Sequence, residues 1–380
     1  MNKDLKKLVD ATTKKVPRLI RDAREAGKLK RIVLDSPQLN YIFGGAFTIA
    51  RTYHIFGPYS GGKTSLVNYL CGQLQRKLPS LTGRKDQDVV IFVDFERSFV
   101  TEYAEQNGLI IDDDKLIFMQ PDDIETFVDN AIPMIQTGSI AAVVLDSEAA
   151  APTRVQMIDP AGKANFGAGA KAMADSLRKL NIVCANNDTT YFVISQERDN
   201  MNPQARLPKV TGGQALPFYA SWRGRVTKID TIESKEETLG INMRVRNYKS
   251  KVGIPFRTAE IKLYYKGGFD SDEEYIDFLI KFGIVDLKGS YFTSEKYGFK
   301  SIQGRAKLQE WLNAHPTEYG EMKVQVNEFL AKKTELDANN AEPEDAEEID
   351  RAIRDVADEI GLTESIDDEI SEDEVKEGDD

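Results

Sequence analysis

Apolar residues in the first half of the chain are concentrated in short runs, and each run ends in polar or charged residues. These runs are YHIF (53–56), DVVIFVDFE (88–96), IAAVVLDS (140–147) and TTYFVISQ (189–196). They are typical of strands buried on both faces, and the stretches between them have the length of helices. The alternation predicts an α/β fold in which a mostly parallel, twisted sheet carries helices on both faces. Such sheets bind ligands at the carboxyl ends of their strands, where the polar residues stand here.

After Ser221 the pattern changes to runs in which apolar and polar residues alternate. These runs are WRGRVTKIDTI (222–232), INMRVRNYKSK (241–251) and FRTAEIKLYYK (256–266). Alternation of this kind predicts antiparallel strands, which we expect to extend the parallel sheet. The main domain then spans residues 31–270.

The two ends of the chain have other patterns. Residues 1–30 carry Leu5 and Leu8 among many basic residues, which predicts a helical arm of one or two amphipathic helices with a basic outer face. Such an arm serves either the protein's own core or a partner, and the pattern leaves both open. Residues 271–333 predict a small α+β domain. Residues 334–380 are too charged and too poor in aromatic residues to fold alone.

The net charge of −12 is unevenly distributed along the chain. Residues 341–380 contain 19 acidic and three basic residues, so this tail carries −16 and the first 340 residues carry +4. The first 31 residues alone carry +7. A basic body can bind a polyanion that an acidic tail repels. We therefore expect the tail either to provide solubility or to regulate access to nucleic acid.

Several classes of protein are excluded by what the sequence lacks. Nothing resembles a secretory signal, and no apolar run approaches the roughly 18 residues of a membrane span, so we expect a cytoplasmic protein without a membrane partner. Cys71 and Cys184 share no metal-ligand spacing and are interpreted as buried thiols in a reducing compartment. His54 and His315 lie far apart without cysteine neighbours, which argues against a zinc site.

The stretch FGPYSGGKTSL (56–66) fits the template G-x-x-x-x-G-K-[ST]. A loop of this kind, between a strand and a helix, turns its backbone amides toward phosphates, and the helix adds its positive end. The lysine reaches the β and γ phosphates, and the hydroxyl that follows it binds Mg²⁺. We therefore predict a site for ATP and Mg²⁺ here. Its residues are Gly57, Pro58, Tyr59, Ser60, Gly61, Gly62, Lys63, Thr64 and Ser65.

Two further strand ends supply carboxylates to this site. Asp146 ends the run IAAVVLDS, and we expect it to order the Mg²⁺ shell beside Thr64 through a water molecule. Glu96 ends the preceding strand and is a candidate to polarise the attacking water, as hydrolysis requires. Asp94 competes with Glu96 on spacing alone. A capping or ion-pair role for Glu96 also stays open at this point.

Seven segments between residues 30 and 330 form an ordered series. They are GPYSGGKT, FVDFERSFVTEYAEQNGL, VVLDSEAAAPT, GAKAMADSLRKL, VISQERDN, TGGQALPFYASWRGRV and YKSKVGIPF. In order and spacing this series resembles that of the RecA-type DNA strand-exchange proteins of bacteria and phages. The resemblance implies a RecA-type P-loop ATPase core that hydrolyses ATP to ADP and phosphate in response to DNA.

The resemblance also implies roles for residues around the phosphate loop. Glu96 falls on the family's water-activating glutamate, and Tyr103 falls on the residue that stacks on adenine. Gln196 falls on the glutamine that senses the γ-phosphate and signals to the DNA-binding loop behind it. Lys249 and Lys251 fall on a lysine pair that reaches ATP across a subunit interface, like arginine fingers. Without the family, an exposed basic strand end is the simpler interpretation of this pair.

Two polar loops, residues 154–167 and 197–213, are expected to face DNA. Both contain glycine and proline, and such loops can stay mobile until a polyanion orders them. The family's DNA-binding positions fall on Phe166, Arg178, Arg198, Met201, Thr211, Gly212 and Gly213. The arginines and the backbone amides of the TGG turn suit phosphate contacts, and the phenylalanine and methionine suit insertion between bases. A loop-packing role is the alternative for Phe166.

The chain departs from the family's pattern in several places, and its first DNA loop resembles the family's only loosely, in length and composition. The second DNA loop has no aromatic residue, where bacterial members often carry one. Pro217 stands where many bacterial members have a lysine at the subunit interface, although Phe218 beside it is retained. The arm at 1–30 matches only in its position and its basic, helical character; in the family it packs on a neighbouring subunit.

These features together predict an ATP-dependent recombinase that polymerises on single-stranded DNA and tests duplex DNA for homology. Its expected partners are single-stranded DNA, homologous duplex DNA and further copies of itself, with single-strand-binding and mediator proteins as candidates. One competing hypothesis is another ATPase on the same core, such as a hexameric helicase or a repair-accessory ATPase. Such helicases carry an interface arginine finger and a separate N-terminal domain. A second competing hypothesis is a DNA-coating protein that binds ATP to stabilise its assembly without hydrolysing it. Such a protein does not need Glu96.

Overall fold

The computed structural model describes residues 2–16, 19, 23–158, 166–198, 209–210, 215–235 and 237–339. The helices in these ranges are α1 (Lys3–Lys15), α2 (Ala23–Gly27), α3 (Pro37–Ile42), α4 (Lys63–Thr82), α5 (Thr101–Gln106), α6 (Ile124–Gln136), α7 (Arg154–Ile158), α8 (Phe166–Asn186), α9 (Ala215–Tyr219), α10 (Ser271–Lys281), α11 (Arg305–Ala314) and α12 (Pro316–Asn339), with a 3₁₀ turn at Glu148–Ala150. The strands are β1 (Arg31–Ile32), β2 (Phe47–Thr48), β3 (Thr52–Gly57), β4 (Val89–Asp94), β5 (Leu116–Met119), β6 (Ile140–Asp146), β7 (Thr190–Arg198), β8 (Lys209–Val210), β9 (Trp222–Glu233), β10 (Thr238–Ser250), β11 (Thr258–Tyr264), β12 (Gly268–Phe269), β13 (Asp286–Lys288), β14 (Tyr291–Ser294) and β15 (Phe299–Gln303).

A single ten-stranded sheet runs through the middle of the molecule. Its order is β12-β11-β10-β9-β3-β7-β6-β4-β5, and β8 pairs with the end of β7. Parallel pairing extends from β9 through β3, β7, β6 and β4 to β5. Antiparallel pairing carries the sheet on from β9 through β10 and β11 to β12. The predicted sheet, mostly parallel with an antiparallel extension, is therefore confirmed.

The central strands are buried on both faces, which explains their unbroken apolar runs. In β4, Val90 and Phe92 belong to a core cluster that includes side chains of α4. Ile91 and Val93, which point the other way, belong to a second cluster that includes side chains of α6 and α8. Burying a side chain of this size contributes about 2 kcal/mol. The two helical layers are thus held on the sheet by alternate residues of the same strands.

Glycine sets both ends of α4, the long helix that follows the phosphate loop. Gly62 precedes it with φ +89° and Gly83 follows it with φ +73°, both in the left-handed region that side chains with a Cβ atom rarely adopt. The helix consequently starts at the carboxyl edge of β3 and directs its positive end toward that edge.

The N-terminal arm forms α1, as the amphipathic pattern predicts. Asn2 caps the helix by accepting a hydrogen bond from the Asp4 backbone N–H at 3.0 Å. None of the helix side chains is buried, and Leu5 and Leu8 are more than half exposed. Within Lys3–Lys15, α1 therefore contributes no buried side chain to the core of its own chain, and this favours a partner-binding role for the helix.

The C-terminal segment has its own core cluster, built from α10, α11, α12 and the sheet β13-β14-β15. Tyr41 of α3 packs against this cluster, which attaches it to the main domain. A buried hydrogen bond joins the same two regions, because Ser36 Oγ donates to Glu274 Oε2 at 2.5 Å. The α+β character is as expected, and the boundaries 1–30, 31–270, 271–333 and 334–380 remain our proposed division.

The structure differs from the sequence-based expectation in several short elements. Strand β5 at the sheet edge and the strands of the C-terminal sheet were not located individually, because each has five residues or fewer. The first expected DNA loop begins with a helix instead, α7. Gln156 Oε1 accepts hydrogen bonds from both the backbone N–H and the hydroxyl of Thr153, at 2.8 and 3.0 Å. This T-x-x-Q capping pattern is the signal that predicts the helix.

The described residues bear on the expectations about membrane spans, cysteines and metal ligands. None of the helices in those ranges is both long and apolar enough to cross a membrane. Cys71 and Cys184 are buried free thiols, as expected, and burial raises the pKa of each. The described ranges contain no group of three His, Cys, Asp or Glu side chains placed to hold a metal ion.

Candidate nucleotide site

The register of the sheet brings the predicted site residues to one edge. Gly57 at the end of β3 is paired with Gln196 of β7, and Asp94 at the end of β4 is paired with Asp146 of β6. All four strands are parallel neighbours, so their carboxyl ends open on the same side. Residues separated by more than 130 positions in the chain thus meet at this edge.

Backbone packing behind the phosphate loop requires glycine. A Cβ atom on Gly57 would lie 2.0 Å from the backbone oxygen of Val226, and one on Gly61 would lie 2.9 Å from the same atom. The loop is therefore pressed against β9, and its curl depends on residues without a side chain. This close packing fits the backbone cradle that a phosphate chain requires.

Lys63 lies over this loop with its side chain largely buried. Its Nζ donates to the backbone oxygens of Gly57 at 3.1 Å and Pro58 at 2.6 Å. Burial lowers the pKa of Lys63, and the carboxylates of Asp146 and Glu96 oppose that shift. An ammonium group held here, at the start of α4, is placed for electrostatic binding of a phosphate chain.

Thr64 and Asp146 form the candidate magnesium ligands. Thr64 Oγ1 donates to Asp146 Oδ2 at 2.9 Å, so the two oxygen ligands lie side by side. Burial raises the pKa of Asp146 to about 7, and the hydroxyl of Thr64 acts in the opposite direction. A cation favours the ionised form of such a carboxylate. A hydroxyl and a carboxylate are hard oxygen donors of the kind that Mg²⁺ prefers, so the residues present fit this ion.

A cavity of about 490 Å³ opens above these residues. This volume lies in the usual range for small-molecule sites. Eleven of the predicted residues line it, namely Tyr59, Ser60, Gly61, Gly62, Lys63, Thr64, Ser65, Glu96, Tyr103, Asp146 and Gln196. Gly57, the last residue of β3, and Pro58 directly precede the lining residues.

Three lining residues were missed by sequence reasoning: Ile194, Ile241 and Tyr265. Tyr265 directly follows β11, which runs in the same direction as β9 and β3. The carboxyl end of β11 therefore lies at the ligand edge. An aromatic residue just beyond that strand was the available signal, but it is informative only once the direction of β11 is known.

Glu96 and Gln196 are in direct contact. Gln196 Nε2 donates a hydrogen bond to Glu96 Oε1, and both side chains are half-buried and line the cavity. Asp94 is buried, and its Oδ2 accepts from the backbone N–H of Phe99 at 3.1 Å. Asp94 thus holds the segment that follows β4, whereas Glu96 faces the nucleotide cavity. The geometry favours Glu96 as the candidate base.

Tyr103 lies at one end of the cavity, above the first turn of α4. Its hydroxyl is 2.7 Å from Ser65 Oγ, and either oxygen can donate. This contact fixes the position of the ring relative to the phosphate loop. An aromatic face at this distance from a phosphate cradle is suited to stacking on a nucleotide base.

Lys249 and Lys251 do not line the cavity of their own chain. Lys249 Nζ donates to the backbone oxygen of Pro217, and Lys251 Nζ donates to that of Phe218 at 3.0 Å. The pKa of Lys249 is lowered, mainly by burial and to a smaller extent by the positive charges of Lys251 and Arg223. The two lysines therefore form a concentrated positive charge beside Phe218, which is 72% exposed.

The candidate DNA-binding residues are only partly within the described ranges. Phe166 begins α8 and Arg198 ends β7, and Arg178 forms an exposed ion pair with Asp175 on α8. The predicted positions outside the described residues are Met201, Thr211, Gly212 and Gly213. Antiparallel pairing of β7 with β8 joins Glu197 to Val210 and Arg198 to Lys209. The two ends of the second loop are thus tied together directly behind Gln196.

Comparison with known proteins supports one family. The family model of the RecA N-terminal domain matches residues 19–270. A protein RecA of Mycoplasma mycoides is 32% identical over 292 residues, which cover 76% of this chain and 80% of the relative. The protein RecA of Acidothermus cellulolyticus is 32% identical over 77% of this chain and 82% of the relative. That of Rickettsia canadensis is 32% identical over 79% of this chain and 84% of the relative.

The matched region contains all the residues that line the nucleotide cavity, and also the lysine pair at the end of β10. The matches to the relatives cover more than three quarters of the chain and more than three quarters of each relative. The chain therefore belongs to the RecA family.

Proposed function

We propose that this protein is an ATP-dependent recombinase that polymerises on single-stranded DNA and catalyses homologous pairing and strand exchange with duplex DNA. Family membership supports the recombination function. One structural observation carries the mechanism: Gln196 contacts Glu96 in the nucleotide cavity and directly precedes Glu197, where β7 pairs with β8 at the base of the second DNA loop. A nucleotide-dependent change at Gln196 therefore has a short, covalent route to DNA.

ATP is the proposed substrate of the cavity. The loop amides and Lys63 bind its phosphates, and Tyr103 stacks on its base. Thr64 and Asp146 would hold Mg²⁺, which would supply positive charge against the phosphates. Glu96 accepts a hydrogen bond in the cavity and holds the attacking water in position for hydrolysis to ADP and phosphate.

Gln196 acts as the switch in this proposal. Its amide can donate either to Glu96, as in this structure, or to an oxygen of the γ-phosphate. Exchange between these two partners frees Glu96 for water when ATP is bound and restores the present contact after hydrolysis. Because the side chain stands near the end of β7, the exchange also moves the base of the second DNA loop.

The lysine pair supports the proposal that the site is completed by a neighbouring subunit. The positive charges of Lys249 and Lys251 repel each other beside the exposed Phe218. A bound anion reduces that repulsion. Because neither lysine reaches the cavity of its own chain, we place them at the ATP of the next copy. The exposed apolar residues of α1 then pack on another copy, which gives a head-to-tail helical polymer.

The remaining parts of the proposal concern DNA and location. The segments 154–167 and 197–213 line the DNA path. The proposed DNA contacts are Phe166, Arg178 of α8, Arg198, Met201, Thr211, Gly212 and Gly213. Homology is tested by base pairing, since the contacts proposed for the protein go to phosphates and between bases. Single-strand-binding and mediator proteins, a cytoplasmic location and a regulatory acidic tail belong to the proposal as well.

Electron microscopy and ATP turnover test this proposal together. With single-stranded DNA and a non-hydrolysable ATP analogue, we expect long helical filaments. With ATP, we expect turnover that rises when single-stranded DNA is added. Closed rings in place of filaments would favour a helicase-like ATPase, and filaments whose formation requires ATP but which turn none over would favour a coating protein.

A further inference from the structure

A chain of buried hydrogen bonds crosses the sheet beneath the nucleotide site. Arg223 Nε donates to His54 Nδ1 at 3.2 Å, and His54 Nε2 lies 3.0 Å from Ser195 Oγ. Ser195 Oγ in turn lies 3.3 Å from Glu148 Oε2. His54, Ser195 and Glu148 are each at most 2% exposed. These four residues belong to neighbouring positions in the sheet order, β9, β3, β7 and the turn after β6.

The directions of the first two hydrogen bonds in this chain are fixed by chemistry. An arginine N–H can only donate, so His54 Nδ1 must accept and the imidazole proton is on Nε2. That proton is donated to Ser195, whose own hydroxyl proton is then left for Glu148. Burial and the charge of Arg223 lower the pKa of His54 to about 3, in agreement with a neutral ring. The chain thus connects a cation to a carboxyl group through two neutral side chains.

Each member stands next to a residue of the proposed nucleotide site. Ser195 directly precedes Gln196, and Glu148 follows two residues after Asp146. His54 is on β3, which leads into the phosphate loop. Arg223 is paired across strands with Lys249, and its guanidinium lies 4.4 Å from the ring of Phe56. The hydrogen bonds therefore link the strand ends that carry the nucleotide to β9, the neighbour of the strand that carries the lysine pair.

We propose that Arg223, His54, Ser195 and Glu148 form a positioning relay that holds the end of β7, and with it Gln196, in the geometry needed for DNA-stimulated ATP hydrolysis. The proposal rests on the proposed function. None of the four side chains lines the nucleotide cavity, so they act through Gln196 and Asp146 and not on ATP. Side chains alternate along β7, and Ser195 is anchored on the face opposite to Gln196. Loss of the relay lets that strand end shift without removing any nucleotide contact.

Ser195→Ala tests the relay kinetically, with Thr190→Val as the matched control. Both changes remove a buried hydroxyl from β7, but Thr190 stands at the other end, where its Oγ1 accepts from the Ala50 N–H at 3.2 Å. We expect Ser195→Ala to lower the kcat of DNA-stimulated ATP turnover about tenfold, because misplacement of a catalytic group costs rate, with the KM for ATP changed less than about twofold. Thr190→Val is expected to change kcat less than about twofold, since a purely structural loss affects stability instead.

A second measurement examines the hydrogen bonds themselves. The chain contains two histidines, so ¹⁵N-histidine labelling of the full-length protein gives two sets of ring signals, and His315→Gln assigns them. We expect His54 at pH 7 to show the neutral tautomer with its proton on Nε2, and Ser195→Ala to change the Nε2 signal. This measurement is independent of activity, and the tautomer of the unaltered protein needs no kinetic variant.

The outcomes separate the relay from the proposed function. If the unaltered protein shows no DNA-stimulated turnover, the proposed function fails, and the histidine spectrum alone decides whether the hydrogen-bond chain exists. If turnover is normal and Ser195→Ala behaves like Thr190→Val, the positioning role is refuted. A His54 ring that carries its proton on Nδ1, or that is charged at pH 7, also overturns the relay.

Discussion

Glu96 and Asp94 stand two residues apart at the end of one strand, and only their surroundings separate their roles. Asp94 is buried and is used by the backbone N–H of Phe99. Glu96 is half-buried, faces the cavity and is bonded to Gln196. Residue type and spacing in the sequence do not distinguish the two carboxylates. Their contacts in the structure do. The assignment of the base therefore depends on the direction in which each side chain leaves the strand.

Replacement of Glu96 by glutamine should abolish most of the ATP turnover. The amide keeps the size of the side chain but cannot accept a proton, and loss of a general base costs about 10² to 10⁴ in rate. Nucleotide binding should persist, because Lys63 and the loop are unchanged. Steady-state turnover with single-stranded DNA measures the first effect, and equilibrium binding of a fluorescent ATP analogue measures the second.

Glu102→Gln is the matched control, since Glu102 is an exposed glutamate on α5. It should turn over ATP at the rate of the unaltered protein. Turnover that is unchanged in Glu96→Gln would show that the catalytic carboxylate has been assigned to the wrong residue.

At the scale of elements, the junction between α3 and α10 contains a carboxyl group buried at the amino ends of both helices. Glu274 Oε2 accepts from Ser36 Oγ at 2.5 Å and from the Gln38 N–H at 3.2 Å. Its other oxygen, Oε1, has no hydrogen-bond partner within the described ranges. Burial raises the pKa of Glu274 to about 8, although both hydrogen bonds oppose the shift.

This buried group should make stability fall as the pH rises. In the unfolded chain Glu274 ionises near its ordinary pKa of about 4.5, whereas the folded protein keeps its proton up to about pH 8. Unfolding between these values releases a proton and is favoured by higher pH. From pH 5 to pH 8 the free energy of unfolding should therefore fall by about 3 kcal/mol more in the unaltered protein than in Glu274→Gln.

Urea unfolding at several pH values measures this difference. Glu321→Gln serves as the control, because Glu321 is an exposed glutamate on α12, and its curve should follow that of the unaltered protein. If the pH dependence of Glu274→Gln were parallel to that of the unaltered protein, the junction carboxyl would not be the group that titrates.

Elements with a long, regular pattern were predictable from the sequence. The apolar runs of β3, β4, β6 and β7 gave the sheet, and their polar ends gave most of the cavity lining. Short strands such as β5 were not predicted, because four residues are too few to show a repeating pattern of apolar and polar positions. Tyr265 escaped because its place depends on the direction of β11, and the Glu96–Gln196 contact depends on a register that joins residues 100 positions apart.

At the scale of the whole molecule, exposed apolar side chains and a cluster of positive charge lie on the surface of a single copy. The helix α1 exposes Leu5 and Leu8, Phe218 is exposed beside α9, and the lysine pair concentrates charge next to it. In the proposed assembly, a single copy of the chain carries the phosphate-loop part of a nucleotide site at one place and, at another, the lysine pair that completes the site of a neighbour. A polymer of identical copies satisfies both.

Mixing two inactive variants tests whether the lysines act on a neighbouring copy. Lys251→Ala lacks the lysine but keeps Glu96, and Glu96→Gln lacks the base but keeps the lysine. In a mixed filament with equal amounts of the two, about one quarter of the interfaces combine an intact Glu96 with an intact Lys251 of the adjacent copy. We therefore expect the mixture to regain about that fraction of DNA-stimulated turnover.

The controls are each variant alone, and Lys300→Ala, which alters an exposed lysine on β15 and should be fully active. A mixture that stays as inactive as its components would show that Lys251 acts within its own chain or not at all.

Strand exchange with homologous and heterologous duplexes tests the central claim most directly. The protein is assembled on circular single-stranded DNA with ATP and Mg²⁺, and a linear duplex of either matching or unrelated sequence is added. Our account predicts joint molecules and exchanged product with the matching duplex and none with the unrelated one. It also predicts no product with either duplex from Glu96→Gln, which lacks ATP turnover, or from Lys63→Ala, which lacks the phosphate-binding lysine. Product from the unrelated duplex, or no product from the matching one, would contradict it.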